Sequence, residues 1–237
     1  MIIALQGIQG SGKTTLVKKV CSSFTNFESM SIDDFYLPYV ELQQLAVKKD
    51  IWSMRGNPGT HDIELILSVL SNFKKKKDCM VPVFDKHANQ GRGDRIGWRL
   101  LKSNDVLLFE GWCLGFTSVN DDTEIDTCVK NYEQMQHFFD AFISLKPPYY
   151  EIAYKWREEA ETYVRNTSKG MTSTEIRSFV NLYMPAYYKY CSALHILPHS
   201  TPYVIVELDE NRKPINVLSK NSHPYLESIC SIIQKVN

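Results

Sequence analysis

The chain has 237 residues, 43% of them hydrophobic and 23% charged, and its 27 Lys and Arg residues balance 27 Asp and Glu. That length holds one large α/β domain with a two-sided core in preference to two small independent ones. Balanced charge leaves no global field for nucleic acid or an anionic membrane, so neither is an expected partner and any anion site is local.

An apolar run over 2–6 predicts a first strand, followed by GIQGSGKTTL at 7–16. Gly7, Gly12, Lys13 and Thr14 fit the phosphate-loop spacing G-x-x-x-x-G-K-[ST]. Glycines at 7, 10 and 12 let the main-chain N–H groups of a loop that includes Gln9, Gly10, Ser11 and Thr15 turn around an anion. The helix predicted over 13–24 adds the positive end of its dipole. Lys13 then reaches the outer phosphates and Thr14 holds Mg²⁺. A dinucleotide fold is set aside, because the glycines read G-x-x-G-x-G where that fold needs G-x-G-x-x-G.

ESMSIDDFY at 28–36 reads as a short strand ending in Asp33 and Asp34. A charged helix over 40–49 leads to the loop MRGNPGTHD at 54–62. Thr60 is the expected cap of the next helix, with Asp62 and Glu64 in its first turn and Ile63, Ile66, Leu67, Leu70 and Phe73 on one face. The lysines at 74–77 are its solvated end, complementing the dipole. CMVPVFD at 79–85 is a third strand that runs into a loop over 86–95, and DVLLFEGW at 105–112 has the look of a parallel strand buried on both faces.

A helix over 132–139 and a strand from 141 follow. Residues 149–165 are helical but polar nearly all round, which predicts an exposed helix. A second helix over 174–191 carries the aromatic block FVNLYMPAYYKY, assigned to helix packing rather than to an adenine contact. Two short strands, at 203–209 and 215–218, and a terminal helix close the chain. Strands alternating with helices predict a parallel sheet with helices on both faces.

The six cysteines, Cys21, Cys79, Cys113, Cys128, Cys191 and Cys230, form no C-x-x-C pair, and the first strand starts at Met1 with no room for a signal peptide. Reduced thiols in a cytoplasmic protein are the expectation. The longest stretch without Asp, Glu, Lys or Arg, 190–206, contains His195, Pro198, His199 and Pro202 and makes a poor membrane span.

In such a sheet the ligand sits beyond the carboxyl ends of the strands. Four of those ends are polar: the phosphate loop, Asp33 with Asp34, Asp85 with Lys86, and Glu110. An acid that closes an apolar run, as in VLLFE, suits Mg²⁺, bound directly or through water. Asp33 or Asp34 is placed to accept the proton of a substrate hydroxyl, and on an extended chain only one of the two faces the crevice. Lys155, Arg157 and Arg165 give the polar helix the character of a lid over the transferring phosphoryl group. Arg157 and Arg165 fall within about a quarter-turn of each other. Arg92 and Arg95 flank Gly93 and suit an anionic substrate.

With these residues in hand, the chain resembles the phosphate-loop kinases of small metabolites, the group holding uridine kinase, phosphoribulokinase and bacterial pantothenate kinase. Within it the chain looks most like plant-type D-glycerate kinase and its fungal relatives. GIQGSGKTTL, SIDDFYLP, RGNPGTHD, PVFDKHANQGRGDR, FEGWCLGF, YKWREEAE and FVNLYMPAYYKY carry the resemblance. It implies a single P-loop NTPase domain over 1–237, a helical lid at about 149–192, ATP and Mg²⁺, and transfer of the γ-phosphoryl group to a hydroxyl. Asp33 matches the group's catalytic base, Glu110 the metal-associated acid, and Lys13 and Arg157 complete the expected catalytic set. Asp34, Tyr36, Arg55, His61, Asp85, Lys86, Arg92 and Arg95 fall in blocks where the family holds substrate. The plant enzymes carry an N-terminal extension that has no counterpart here, and the second half of the chain matches more loosely. A kinase for a nucleoside, pantothenate or a sugar acid, and a nucleotide switch without kinase activity, stand as alternatives. The chain lacks the N-K-x-D signature of a guanine-specific switch.

Overall fold

Strand β1 (Ile2–Gly7) lies inside a six-stranded sheet, and every one of its residues is buried. The computed structural model describes residues 1–165, 170–191, 201–221 and 223–234. The sheet order is β2 (Phe27–Ser31), β5 (Val106–Gly111), β1, β6 (Ala141–Lys146), β7 (Tyr203–Leu208) and β8 (Pro214–Lys220). All neighbours are parallel except the edge hairpin β7–β8. β5 is buried throughout as well, so helices and loops cover both faces of the sheet's centre, as the unbroken apolar run predicts. Helix α1 (Lys13–Ser23) packs against β1, β2 and β5.

Register brings the polar strand ends together. Glu110 pairs with Leu5 on one side and Ser31 on the other, two residues before Gly7 and Asp33 respectively. Beyond Ser31 the chain leaves the extended conformation for a 3₁₀ turn, Ile32–Phe35, started by the Ser31 hydroxyl accepting from Asp33 N at 3.3 Å. Asp33 and Asp34 therefore diverge around a turn rather than across a pleat.

The third strand does not join the main sheet. β3 (Cys79–Asp85) pairs antiparallel with β4 (Asp94–Leu101) in a separate ribbon. Pro82 cannot donate to a ladder on both sides, which suits an edge. Between the two strands the turn α4 (Ala88–Gly91) places Asn89 and Gln90 at φ 51° and 60°. Residues 94 and 95, expected in the loop, instead begin β4, along which Ile96, Trp98 and Leu100 alternate onto one exposed face.

Helix boundaries move for local reasons. Helix α2 (Tyr39–Lys48) stands as expected, while α3 (Ile63–Lys74) is capped by Asp62, whose carboxylate accepts from Leu65 N at 3.1 Å. Thr60 instead accepts from Gly56 N and donates to Asn57 O inside the preceding loop. Of the helix predicted at 132–139 only 132–133 are α-helical, the end of α5 (Glu124–Glu133), and 134–138 form a 3₁₀ turn. Thr123 caps α5 by accepting from Asp126 N.

Helix α6 (Ile152–Arg165) is not the exposed element its polar sequence implies. Ile152, Ala153 and Trp156 are fully buried, and Trp156 Nε1 donates to Glu210 O at 2.8 Å. The next predicted helix is broken into α7 (Ser173–Asn181), one-turn α8 (Met184–Ala186) and a π turn, Tyr187–Cys191, because Pro185 supplies no N–H. Tyr183, Tyr187 and Tyr190 are buried against Trp112 and Phe116, so this block packs as expected. Helix α9 (Pro224–Gln234) ends the described chain. Most of the stretch at 190–206, including His195, Pro198 and His199, lies outside the described residues. Among those described, no helix is long and apolar enough to cross a membrane, and the six cysteines are free thiols.

Candidate active site

The loop after β1 turns on two left-handed glycines, Gly10 at φ 76° and Gly12 at φ 91°. At Gly10 a Cβ would also stand 2.6 Å from Trp156 Cβ, so glycine is required by conformation and by the close approach of α6. Lys13 curls back across the loop, its Nζ donating to Gly7 O at 2.8 Å and Ile8 O at 3.2 Å. Burial pushes its pKa down, opposed by Glu110 and Asp33. Thr14 Oγ1 donates to Glu110 Oε1 at 3.2 Å, so the two oxygens expected to serve a metal are already together. Oxygen donors of this kind suit a hard cation such as Mg²⁺. The Ser11 hydroxyl is buried without a partner among the described residues, an atom that an anion in the loop satisfies.

Beyond the loop lies a cleft of about 360 Å³ whose wall includes Gln9, Asp33, Tyr36, Arg55, Lys86 and Arg157. Asp33 is its central acid. Oδ1 accepts from the Tyr36 hydroxyl at 2.9 Å and Oδ2 from Lys86 Nζ at 2.5 Å. Burial alone would raise the Asp33 pKa, but Lys86, His61 and Lys13 together hold it well below the ordinary carboxylate range. Lys86 is raised in turn, chiefly by Asp33. Arg55 donates to Gly91 O and Lys86 O, at 2.7 and 3.3 Å, and lies over the rings of Tyr36 and Phe84. Arg157 enters from α6, stacked 5.0 Å over Phe179 and paired with Glu161 at 2.5 Å.

The other residues singled out by sequence stand behind this wall or away from it. His61 stacks on Tyr36 with ring centroids 4.4 Å apart and shares a 2.7 Å hydrogen bond with the Tyr132 hydroxyl. Burial lowers its pKa to about 4, which keeps it neutral at pH 7. Arg95 points into the protein, pairing with Asp62 at 3.0 Å and donating to Tyr36 O at 2.9 Å. It holds the turn that carries Asp33. Asp34 turns toward Arg99 at 3.9 Å, and Asp85 accepts from His87 N at 2.8 Å. Arg92 donates to Ser53 O beside a separate small pocket. Arg165 pairs with Glu158 and donates to Met171 O, so Arg157 and Arg165 do not converge, and Lys155 pairs with Glu210.

Sequence reasoning missed Glu161, Phe179 and Tyr183 on the cleft wall. The i,i+4 spacing of Arg157 and Glu161 was the available signal for the first. A second cavity, about 270 Å³ and mainly apolar, was also missed. It lies against Ser11, Gly12 and Thr15, with Leu145, Leu208 and Pro214 opposite. Arg212 borders it from the β7–β8 turn, donating to Gly10 O at 2.6 Å and stacking 5.1 Å over Trp156.

A family model for phosphoribulokinase and uridine kinase matches residues 2–194. The chain belongs to the phosphoribulokinase/uridine kinase family. Members of this family are ATP-dependent phosphotransferases, and the chain is a small-molecule kinase of that kind. It is 30% identical to the uncharacterized kinase mug58 of Schizosaccharomyces pombe, over 90% of this chain and 90% of that one. It is 32% identical to the chloroplastic D-glycerate 3-kinase of Arabidopsis thaliana, over 91% of this chain but 54% of that protein. In fold it is similar to a D-glycerate 3-kinase from Cryptococcus neoformans, with a TM-score of 0.83 and 23% identity across 93% of this chain and 89% of that one. The P-loop kinase architecture expected of this family is thus the one observed.

Proposed function

We propose that this kinase phosphorylates the hydroxyl of a small anionic metabolite, a hydroxy acid of which D-glycerate is the first candidate, using Mg·ATP. The observation that carries the reading is the cleft itself. Of the two carboxylates on its wall, Glu161 is taken up by Arg157, while Asp33 stands beside Lys86 with Arg55 on the same wall and is coupled electrostatically to Lys13 of the phosphate loop. Relatives of this chain include two proteins named D-glycerate 3-kinase.

When bound, Mg·ATP supplies the γ-phosphoryl group and the metal charge that offsets its oxygens. The chain does the rest. Main-chain N–H groups from Gln9 to Thr15 wrap the polyphosphate, and Lys13 exchanges the carbonyls of Gly7 and Ile8 for phosphate oxygens. Thr14 and Glu110 hold Mg²⁺. The apolar cavity beside Thr15 takes the base. Asp33 orients the acceptor hydroxyl and takes its proton. Its depressed pKa suits a late transfer, since a loose transition state asks little of the base until bond formation is advanced. Lys86 and Arg55 hold the acceptor's anionic group, Tyr36 fixes the base, and Arg157 neutralises the moving phosphoryl group. His61, Asp34, Asp85, Arg92 and Arg95 support the substrate loops from behind. Six free thiols accord with a reducing, cytoplasmic setting.

A panel of D-glycerate, other hydroxy acids, nucleosides and pantothenate, assayed for ADP release and phosphorylated product, tests the reading. Turnover with D-glycerate or another small hydroxy acid, and none with pantothenate or a nucleoside, is expected. Turnover with a neutral nucleoside and none with any acid would overturn the assignment of Lys86 and Arg55.

A further inference from the structure

Arg157 is half-buried, and only one of its N–H groups has a partner among the described residues. That partner is Glu161 Oε1, 2.5 Å from the outer guanidinium nitrogen. Arg157 Nε is buried with no acceptor among the described residues, although the side chain borders the cleft. A buried unsatisfied donor is costly, a penalty that an acceptor reaching it from the cleft removes. The guanidinium plane is meanwhile held over Phe179.

Glu161 cannot readily follow Arg157. It is 6% exposed, and its second oxygen accepts from Met171 N at 3.0 Å. The carboxylate is thus anchored between α6 and the segment leading into α7. Drawing the arginine fully away would leave a buried carboxylate with one backbone donor among the described residues, which is unfavourable. The favourable response to a phosphoryl group is for Arg157 to keep its bond to Glu161 and offer its remaining donors, of five in all, to the cleft.

We propose that Glu161 is a positioning residue for phosphoryl transfer, fixing Arg157 against Phe179 so that the free donors of the guanidinium face the transferring group. This rests on the kinase reading above and adds a residue to it. Pre-set donors need no reorganisation as charge moves during transfer, and that is where such groups have their largest effect.

The test uses the full-length enzyme with Mg·ATP and its best acceptor. Glu161→Ala is expected to lower kcat by about 10- to 100-fold while changing the dissociation constant for Mg·ATP less than about 3-fold. Glu161→Gln keeps an acceptor oxygen and is expected to lose less, which guards against a folding defect in the alanine variant. Chemical rescue separates positioning from general structure. Guanidinium chloride, below concentrations that alter thermal unfolding, is expected to restore part of the activity of Arg157→Ala but not of Arg157→Ala/Glu161→Ala. Wild-type kcat in Glu161→Ala, or equal rescue in both backgrounds, overturns the positioning role while leaving the kinase reading intact. A wild-type enzyme that phosphorylates no acceptor overturns both.

Discussion

Lys86 Nζ lies 2.5 Å from Asp33 Oδ2, so the carboxylate proposed to receive the acceptor's proton rests in an ion pair with a cation from the loop after β3. Tyr36, His61 and Lys13 also face Asp33, but Lys86 contributes the largest lowering of its pKa, against the effect of burial. In Lys86→Met burial acts with less opposition and the Asp33 pKa rises. With Asp33 as the proposed base, activity needs the ionised form, so the acid limb of kcat/KM is expected to move to higher pH and into the assayable range. A pH profile from 4 to 9 checks this. An unmoved acid limb contradicts the pairing as the source of the depressed pKa.

Thr14 and Glu110 meet at 3.2 Å, which makes their joint loss informative. Glu110→Gln is expected to raise the Mg²⁺ concentration for half-maximal activity about 10-fold or more, and Thr14→Ala to act in the same direction. Their effects are expected to be less than additive, since both residues are proposed to hold the same ion. Magnesium titration at fixed ATP reads all three variants.

His61 makes stability depend on pH in a stated direction. Its folded pKa of about 4 lies below the usual 6.5, because burial disfavours the charged ring. Between those values the unfolded chain binds the proton and the folded one does not. Stability therefore falls as pH drops from about 6.5 toward 4, by at most about 3 kcal/mol from this group. Urea melts from pH 7 to 4.5 are expected to show a shallower loss in His61→Gln than in the wild type.

Trp156 packs under Gly10 and donates to Glu210 O, tying α6, the phosphate loop and the β7–β8 turn. Trp156→Ala is expected to cost about 3–5 kcal/mol in chemical unfolding. Trp156→Phe keeps most of the volume and is expected to cost less, with the residual loss reporting the indole hydrogen bond.

The phosphate loop and the strand ends were legible because sterics and sequence spacing dictate them: glycine where φ is positive, and an unbroken apolar run where both faces are buried. The turn at Ile32–Phe35 was not, since it depends on Ser31 capping a strand that the apolar pattern alone would extend. Nor could local pattern show that β3 pairs with β4 outside the main sheet, a matter of long-range pairing. Helix α6 looked exposed because its buried stripe is narrow, three residues near its first turns, while Glu161 is a charge whose burial depends on Met171 and Arg157. Arg95 reads in sequence as a free cation, and only the fold brings Asp62 and the Tyr36 carbonyl to it.

In the proposed mechanism Asp33 serves the acceptor and the phosphate loop serves the nucleotide, as separable functions of adjoining groups. Calorimetric binding of Mg·ATP alongside single-turnover phosphoryl transfer in Asp33→Asn tests it most directly. Nucleotide affinity within about 3-fold of wild type, with transfer slowed at least about 100-fold, is the predicted result. Transfer at the wild-type rate with nucleotide affinity unchanged would contradict it.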